Sequence, residues 1–278
     1  MMPLLPLPTW DHLVINAQDR LDDAADTYRK LGFQLTPRGY HSMGSANNLA
    51  IFGTDYLEII GVPPSGRELQ KALLESPIGL NGLVFGTDAS LDVVAAAKAA
   101  GAALLPPREF VRPVELADGS REDASFRIVP LDGIDYGRVY FCHHFTRHLV
   151  WRNEWRHHPN GVLGIARAVI VSNAPDDAMR PYRTLFGSDL VRAIPSGLSL
   201  AVGLASLDIV TRAEAVAQFG DTLPDALDRN TYMAAITFRT ASLDRAKAAL
   251  GDAAQTGARG SLVVSAAKAF GATLEFIA

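Results

Sequence analysis

Three segments of this chain set an acid where an apolar residue would cost less. They read Tyr56-Leu57-Glu58-Ile59-Ile60, Leu207-Asp208-Ile209-Val210 and Leu274-Glu275-Phe276-Ile277. A carboxylate inside an apolar strand is costly unless it is paired, solvated or bound to a metal. Ionised Glu is rarely buried without a partner, which marks Glu58 as a candidate functional acid. Imidazoles and a thiol gather in Cys142-His143-His144. A polar turn, His41-Ser42-Met43-Gly44-Ser45-Ala46-Asn47, offers His41, Ser45 and Asn47 as hydrogen-bonding groups for a ligand. The alternative is that Gly44 and Asn47 only shape the turn. The most cationic stretch holds Arg147, His148, Arg152, Arg156, His157 and His158 between Trp151 and Trp155. It reads either as an anion clamp at the mouth of a site or, preferably, as a linker whose tryptophans anchor it to both halves of the chain. Gly-rich phosphate loops, nucleophile elbows and CxxC pairs are missing from the sequence.

These residues need elements to hold them, and the elements repeat. Trp10–Asn16 is an apolar, β-branched strand, followed by helical spacing over Asp19–Leu31 through Leu21, Ala24, Ala25, Tyr28 and Leu31. Asp19 is the expected N-cap and Gly32 the residue after the helix. Strands are expected at Phe33–Thr36, Asn48–Phe52 and Tyr56–Gly61, giving the order β-α-β-β-β. A second segment repeats it: Gly82–Thr87, a helix Ser90–Ala100, then Phe110–Glu115, Ser125–Pro130 and Arg138–Phe145. Turns are expected at Ala117-Asp118-Gly119 and Leu131-Asp132-Gly133. A third opens at Ala166–Ser172 with a helix Pro175–Phe186, and a fourth at Ala234–Thr240 with a helix Ser242–Leu250. Tyr182-Arg183-Thr184-Leu185 echoes Tyr28-Arg29-Lys30-Leu31, so the third segment copies the first and the fourth copies the second. A short helix, Arg67–Glu75, is expected in the connection between the first two. Because strand side chains alternate faces, Glu58 shares a face with Tyr56 and Ile60, and His144 shares one with Cys142 and Tyr140, while His143 points away.

The remaining bounds come from composition. With 278 residues the chain can bury one large core or two medium ones. A net charge of −4 gives no basic footprint, so nucleic acid is an unexpected partner. The single cysteine excludes an internal disulfide and fits a reducing cytosol. The proline-broken start Met1–Pro8 fits neither a signal peptide nor a membrane helix. A cytoplasmic protein without membrane contact is expected.

A strand starting Asp-His, a helix ending Tyr-x-x-Leu-Gly-Phe and a closing Tyr-Leu-Glu stand here as Asp11-His12, Tyr28-Arg29-Lys30-Leu31-Gly32-Phe33 and Tyr56-Leu57-Glu58. Together they resemble a module of the vicinal oxygen chelate superfamily (glyoxalase, bleomycin-resistance and dioxygenase proteins). His41 to Asn47, Cys142 to Thr146, Leu149-Val150-Trp151 and His157 to Gly161 resemble its glyoxalase-like domain branch. The close match covers about the first 165 residues; beyond them only the module pattern matches. The resemblance implies an α+β fold of four tandem βαβββ modules in two pairs. They would form cupped half-barrel mixed sheets with helices outside. The expected domains are 1–148 (modules 9–61 and 79–146), a linker 149–162, and a degenerate second domain 163–278 (modules 163–212 and 231–278).

In that superfamily a metal sits in the cup, held from the first and last strands of each module. Carried onto this chain, the resemblance implies His12, Glu58 and His144 as metal ligands, with Gly82 where a fourth would stand. Glu58 would also shuttle a proton, and His41, Ser45, Asn47, Tyr56 and Cys142 would contact substrate. Two histidines and a carboxylate suit Fe, Mn, Zn or Co and leave positions open. The implied function is a metal-dependent isomerase, lyase or dioxygenase acting on a small molecule with vicinal oxygens. The alternative is a metal-free binding protein of the bleomycin-resistance type. Asp208 and Glu275 lack histidines, and Arg167 opposite Asp208 suggests an ion pair in place of a metal. That half would support the fold or a homodimer.

Overall fold

The computed structural model describes residue 5 and residues 7–116 and 118–278. Residues 1–4, 6 and 117 lie outside that description, and with them most of the Met1–Pro8 start and Ala117 of the first expected turn. The first half runs β1 (Trp10–Asn16), α1 (Leu21–Lys30), β2 (Gly39–Tyr40), β3 (Ala46–Ile51), β4 (Tyr56–Gly61), α2 (Lys71–Glu75), β5 (Gly79–Gly86), α3 (Ser90–Ala99), β6 (Arg108–Glu115), β7 (Arg121–Pro130) and β8 (Arg138–His144). The second half repeats the order. It runs β9 (Val162–Ser172), α4 (Pro175–Phe186), β10 (Val191–Ile194), β11 (Gly197–Val202), β12 (Ala205–Val210), α5 (Arg212–Phe219), β13 (Thr231–Thr240), α6 (Leu243–Leu250), β14 (Ala254–Thr256), β15 (Leu262–Val264) and β16 (Thr273–Ile277).

Each half makes one eight-stranded mixed sheet, ordered β2-β3-β4-β1-β5-β8-β7-β6 and β10-β11-β12-β9-β13-β16-β15-β14. Opening and closing strands of a module pair in parallel, and the two opening strands of a pair of modules run antiparallel. This is the α+β, paired-module architecture that the sequence implies. The first sheet curls until its edges meet: Ser42 N donates to Val111 O at 3.0 Å, and Val111 N donates to Ser42 Oγ at 3.2 Å.

Period-two alternation splits each strand between two cores. On the convex side Leu13, Ile15, Leu83 and Phe85 join the buried faces of the helices, such as Tyr28 and Tyr182. That core is continuous between the halves. Phe33 meets Phe238 edge-on with ring centroids 5.4 Å apart, and the Tyr136 and Tyr182 hydroxyls lie 2.9 Å apart. On the concave side Val14, Val84, Leu49 and Ile60 line the first cup, with Phe126 and Tyr140. Val169, Val171, Ala234 and Ala235 line the second.

Several local expectations change. Phe33 and Leu35 are buried as a strand would bury them, yet no strand forms at Phe33–Thr36. Pro37 has no N–H to continue a ladder, and pairing resumes only at Gly39–Tyr40. Asp19 does not cap α1, whose N-cap is Arg20 without a side-chain bond; Asp19 instead accepts from Arg67 Nη2 at 2.7 Å. The stretch 149–162 touches both halves: from the second half Arg245 donates to the carbonyls of His158 and Pro159, and Thr240 Oγ1 donates to that of Asn160. Trp151 and Trp155 both pack into the first cup's cluster, which corrects the expectation that they anchor to both halves. His158 accepts from Gln34 N at 3.0 Å through Nδ1 and donates to Ile51 O at 2.8 Å through Nε2. Among the described residues, no helix is long and apolar enough to cross a membrane.

Candidate active site in the first cup

Two rows of side chains cross the floor of the first cup. Strand register places Tyr56, His12, Val84 and Tyr140 in one row across β4, β1, β5 and β8. The next row holds Glu58, Val14, Gly82 and Arg138. These rows surround a cavity of about 380 Å³. Its other walls include Leu49, Phe110, Phe126, Ile128, Leu69 and Leu73.

His12 is the hinge of the site. The β1–β5 register slips between Trp10 and His12, a bulge that leaves Asp11 as the extra residue. The bulge lets two sequence neighbours face each other, and His12 Nδ1 lies 2.6 Å from Asp11 Oδ1. Burial alone would raise the Asp11 carboxyl, but His144 and His12 outweigh it and hold it well below the usual range. An ionised Asp11 only accepts, so it fixes the proton of His12 on Nδ1 and leaves the Nε2 lone pair facing the cup. There Nε2 lies 3.2 Å from the Tyr140 hydroxyl and 3.6 Å from Glu58 Oε2. The Tyr56 ring stacks on the imidazole at 4.3 Å.

Glu58 is 5 % exposed, which leaves it dependent on polar partners. Burial raises its pKa, but the neighbouring His12 and His41, a hydrogen bond from Asn47 and the Arg138 guanidinium together hold it below the usual value. Asn47 Nδ2 donates to Oε1 at 2.6 Å, so Oε2 is the oxygen turned toward His12. Behind Asn47 stands His41, whose Nε2 lies 3.2 Å from Asn47 Nδ2 and whose Nδ1 lies 2.8 Å from Ser45 Oγ. Burial pushes His41 down to about 4. The polar turn thus buttresses Glu58, and His41, Ser45, Asn47, Tyr56 and Cys142 all line the cavity. Burial pushes the Cys142 thiol well up, so it is a neutral wall.

His144 lies elsewhere than the expected triad would put it. By register the counterpart of Glu58 in the second module is Tyr140, and His144 comes four residues later in β8. Its Nε2 donates to Asp11 Oδ1 at 3.0 Å, on the Nδ1 side of His12. Asp11, His12 and His144 each offer a donor atom within 4.8 Å of one another. Glu58 approaches His12 through its opposite nitrogen. His143 faces away, 3.1 Å from Ser90 Oγ. Gly82 has no room for a ligand: a Cβ there would lie 2.7 Å from Val14 Cβ.

Sequence reasoning missed Asp11, Arg112 and Arg138 as site residues. Arg112 carried a readable signal, since it alternates with Phe110 and Val114 on an otherwise apolar face. Arg138 shares its face with Tyr140 and Cys142. Nothing in the sequence signals the bulge that turns Asp11 toward its neighbour.

In the second cup the same register positions carry Arg167, Asp208, Ala235 and Glu275. Arg167 bonds Asp208 at 3.5 Å and Glu275 at 2.9 Å, so the expected ion pair is present and extends to a second acid.

Comparison with known proteins agrees with this geometry. A family model described as glyoxalase-like domain matches residues 10–186. No curated protein matches the sequence. Among solved structures, a hypothetical protein from Staphylococcus aureus superposes with a TM-score of 0.67 at 12 % identity, over 98 % of this chain and 99 % of that one. A mutant 4-hydroxymandelate synthase from Streptomyces coelicolor gives 0.55 at 14 % identity, over 89 % and 75 %. A xylose isomerase-like TIM barrel/4-hydroxyphenylpyruvate dioxygenase fusion protein gives 0.56 at 14 % identity, over 99 % of this chain and 50 % of that one. At these identities the superpositions speak for the fold alone. The family match spans well over half of the chain, and on that ground this protein belongs to the glyoxalase-like domain family.

Proposed function

We propose that the protein is a metal-dependent enzyme whose first cup acts on a small molecule with adjacent oxygens. One observation carries the reading: His12 Nε2 and Glu58 Oε2 lie 3.6 Å apart at the cavity, and the far nitrogen of His12 is held by a buried carboxylate. A carboxylate on the far nitrogen of a histidine is the usual support of a metal-binding imidazole. The donor set fits a divalent ion such as Fe, Mn, Zn or Co. His12 and Glu58 would hold it, with Tyr140 beside them and His144 steadying Asp11. When bound, such an ion supplies Lewis acidity toward vicinal oxygens.

The chain's own groups do the rest. Asp11 keeps the His12 proton on Nδ1. Asn47 occupies Oε1 of Glu58, so Oε2, the oxygen turned toward His12, is the atom that would either hold the ion or take a proton from a molecule in the cavity. Tyr56 and Trp151, whose rings meet at 5.3 Å, close one wall against water. Adding Mn, Fe(II), Zn or Co(II) to chelator-stripped protein should restore either proton exchange beside the carbonyl of a 2-hydroxy ketone or oxygen uptake with a catechol. Glu58→Gln should lose it. If no added ion changes either reaction, the enzyme reading fails.

A metal-free binding protein has one observation in its favour. By strand register Gly82 and Tyr140 are the second module's counterparts of His12 and Glu58, and the Tyr140 hydroxyl already sits on His12 Nε2. Ligand binding with no change after metal stripping would favour it.

A further inference from the structure

Arg112 and Arg138 put two cations into the same cavity with no carboxylate in contact among the described residues. Arg112 is 5 % exposed, and its Nε makes no hydrogen bond among the described residues. Arg138 has both Nε and Nη2 buried without a partner. Neither guanidinium lies within 4.0 Å of a carboxylate among the described residues, whereas Arg167 of the second cup touches two. Burying an unpaired charge is costly, so a ligand-free protein that keeps two such groups is less stable than one without them. The backbone is also shaped for Arg112. A Cβ at Gly39 in β2 would lie 2.4 Å from Arg112 Cδ and 2.5 Å from Nη1, so only glycine lets that side chain pass. The same cavity is also lined by the apolar side chains of Leu49, Phe110, Phe126 and Ile128.

We propose that Arg112 and Arg138 form an anion clamp, so that the molecule taken by the first cup is a small organic acid with an apolar body. The planar guanidinium fork matches a carboxylate in two-point contact. The fork would hold the acid group while the apolar wall takes the body and the opposite end faces His12 and Glu58. The proposal deepens the enzymatic reading above by naming its substrate class, but the clamp itself needs no metal.

The test therefore uses chelator-treated full-length protein, with melting temperature and calorimetric binding as readouts. Phenylacetate is compared with the isosteric, uncharged phenylacetamide and with phenyl phosphate. Phenylacetate should bind and raise the melting temperature, phenylacetamide should do neither, and Arg112→Met or Arg138→Met should weaken phenylacetate about tenfold or more. Both variants should melt higher than wild type without ligand, an outcome that a structural role for either arginine forbids. Gly39→Ala should weaken binding with both arginines still present. Tighter binding of phenyl phosphate than of phenylacetate would overturn the assignment to carboxylic acids. The clamp itself is overturned if phenylacetamide binds as well as phenylacetate, if neither anion binds at roughly millimolar concentration, or if the arginine variants leave binding unchanged. Failure of metal to restore activity would leave these results untouched and would count against the enzymatic reading alone.

Discussion

In the second cup a guanidinium stands where the first cup has an imidazole. Arg167 lies between Asp208 and Glu275, and Ser199, Thr237 and Ser261 donate to those acids at 2.7, 2.7 and 2.9 Å. Beneath it the α5 helix brings in Phe219, 5.5 Å from the guanidinium, and Gln218, which accepts from Arg167 at 3.0 Å. Every acid there has found its cation within the chain. In the first cup the matching segment between β4 and β5 forms only the short α2, and Leu69 and Leu73 line the cavity wall without filling it. Glu58 faces an imidazole, and neither Arg112 nor Arg138 touches a carboxylate among the described residues. One copy of the fold thus pairs its cup acids internally, and under the proposed function a ligand completes the other.

The largest effect that would test this contrast is on stability. Arg167→Met strands Asp208 and Glu275 and should cost about 3–5 kcal/mol in urea unfolding. His12→Ala leaves Asp11 bonded to His144 and should cost about 1–3 kcal/mol. Equal costs would break the distinction between a cup closed by its own charges and one awaiting a ligand.

A smaller effect concerns Gly82, whose counterpart is Ala235. Gly82→Ala should cost about 1–3 kcal/mol because its Cβ meets Val14, and Val14→Ala in the same chain should recover most of that cost. If Gly82→Ala alone is neutral by urea unfolding, the close approach of β1 and β5 is not what keeps the position bare.

The smallest effect per step is a slope. Asp55 accepts from Ile165 N at 3.0 Å between the halves, and burial pushes its pKa from 3.8 up to about 7. The folded state then keeps a proton that the unfolded state has already released. The group's contribution is full below about pH 3.8 and is lost as pH rises through about 7. Asp55→Asn should therefore flatten the fall in stability across that window, by at most about 1.4 kcal/mol per pH unit. An unchanged profile would remove Asp55 from the account of how the halves hold together.

How much of this was legible in the sequence depended on how local the signal was. Tyr56–Gly61 and Pro175–Phe186 begin and end where their patterns say, since apolar alternation and a helix-starting proline act within a few residues. Phe33–Thr36 carries the same apolar signal but owes it to the shared core, which strand periodicity cannot distinguish. In the site, Glu58 was legible because a buried acid is conspicuous in an apolar strand. The register that pairs Tyr140, not His144, with the Glu58 position depends on the β5–β8 alignment, a long-range fact. Asp11 depends on a bulge that leaves no local trace, and Arg112, though its place beside Phe110 and Val114 on one strand face was readable, reaches the site only through the meeting of two sheet edges.

The central claim is that metal chemistry is confined to the first cup, and the metal content of purified protein tests it most directly. The wild type and Asp208→Asn should retain a stoichiometric divalent ion, while His12→Ala and Glu58→Gln should lose it. Full retention by both first-cup variants, or loss in Asp208→Asn alone, would contradict the account.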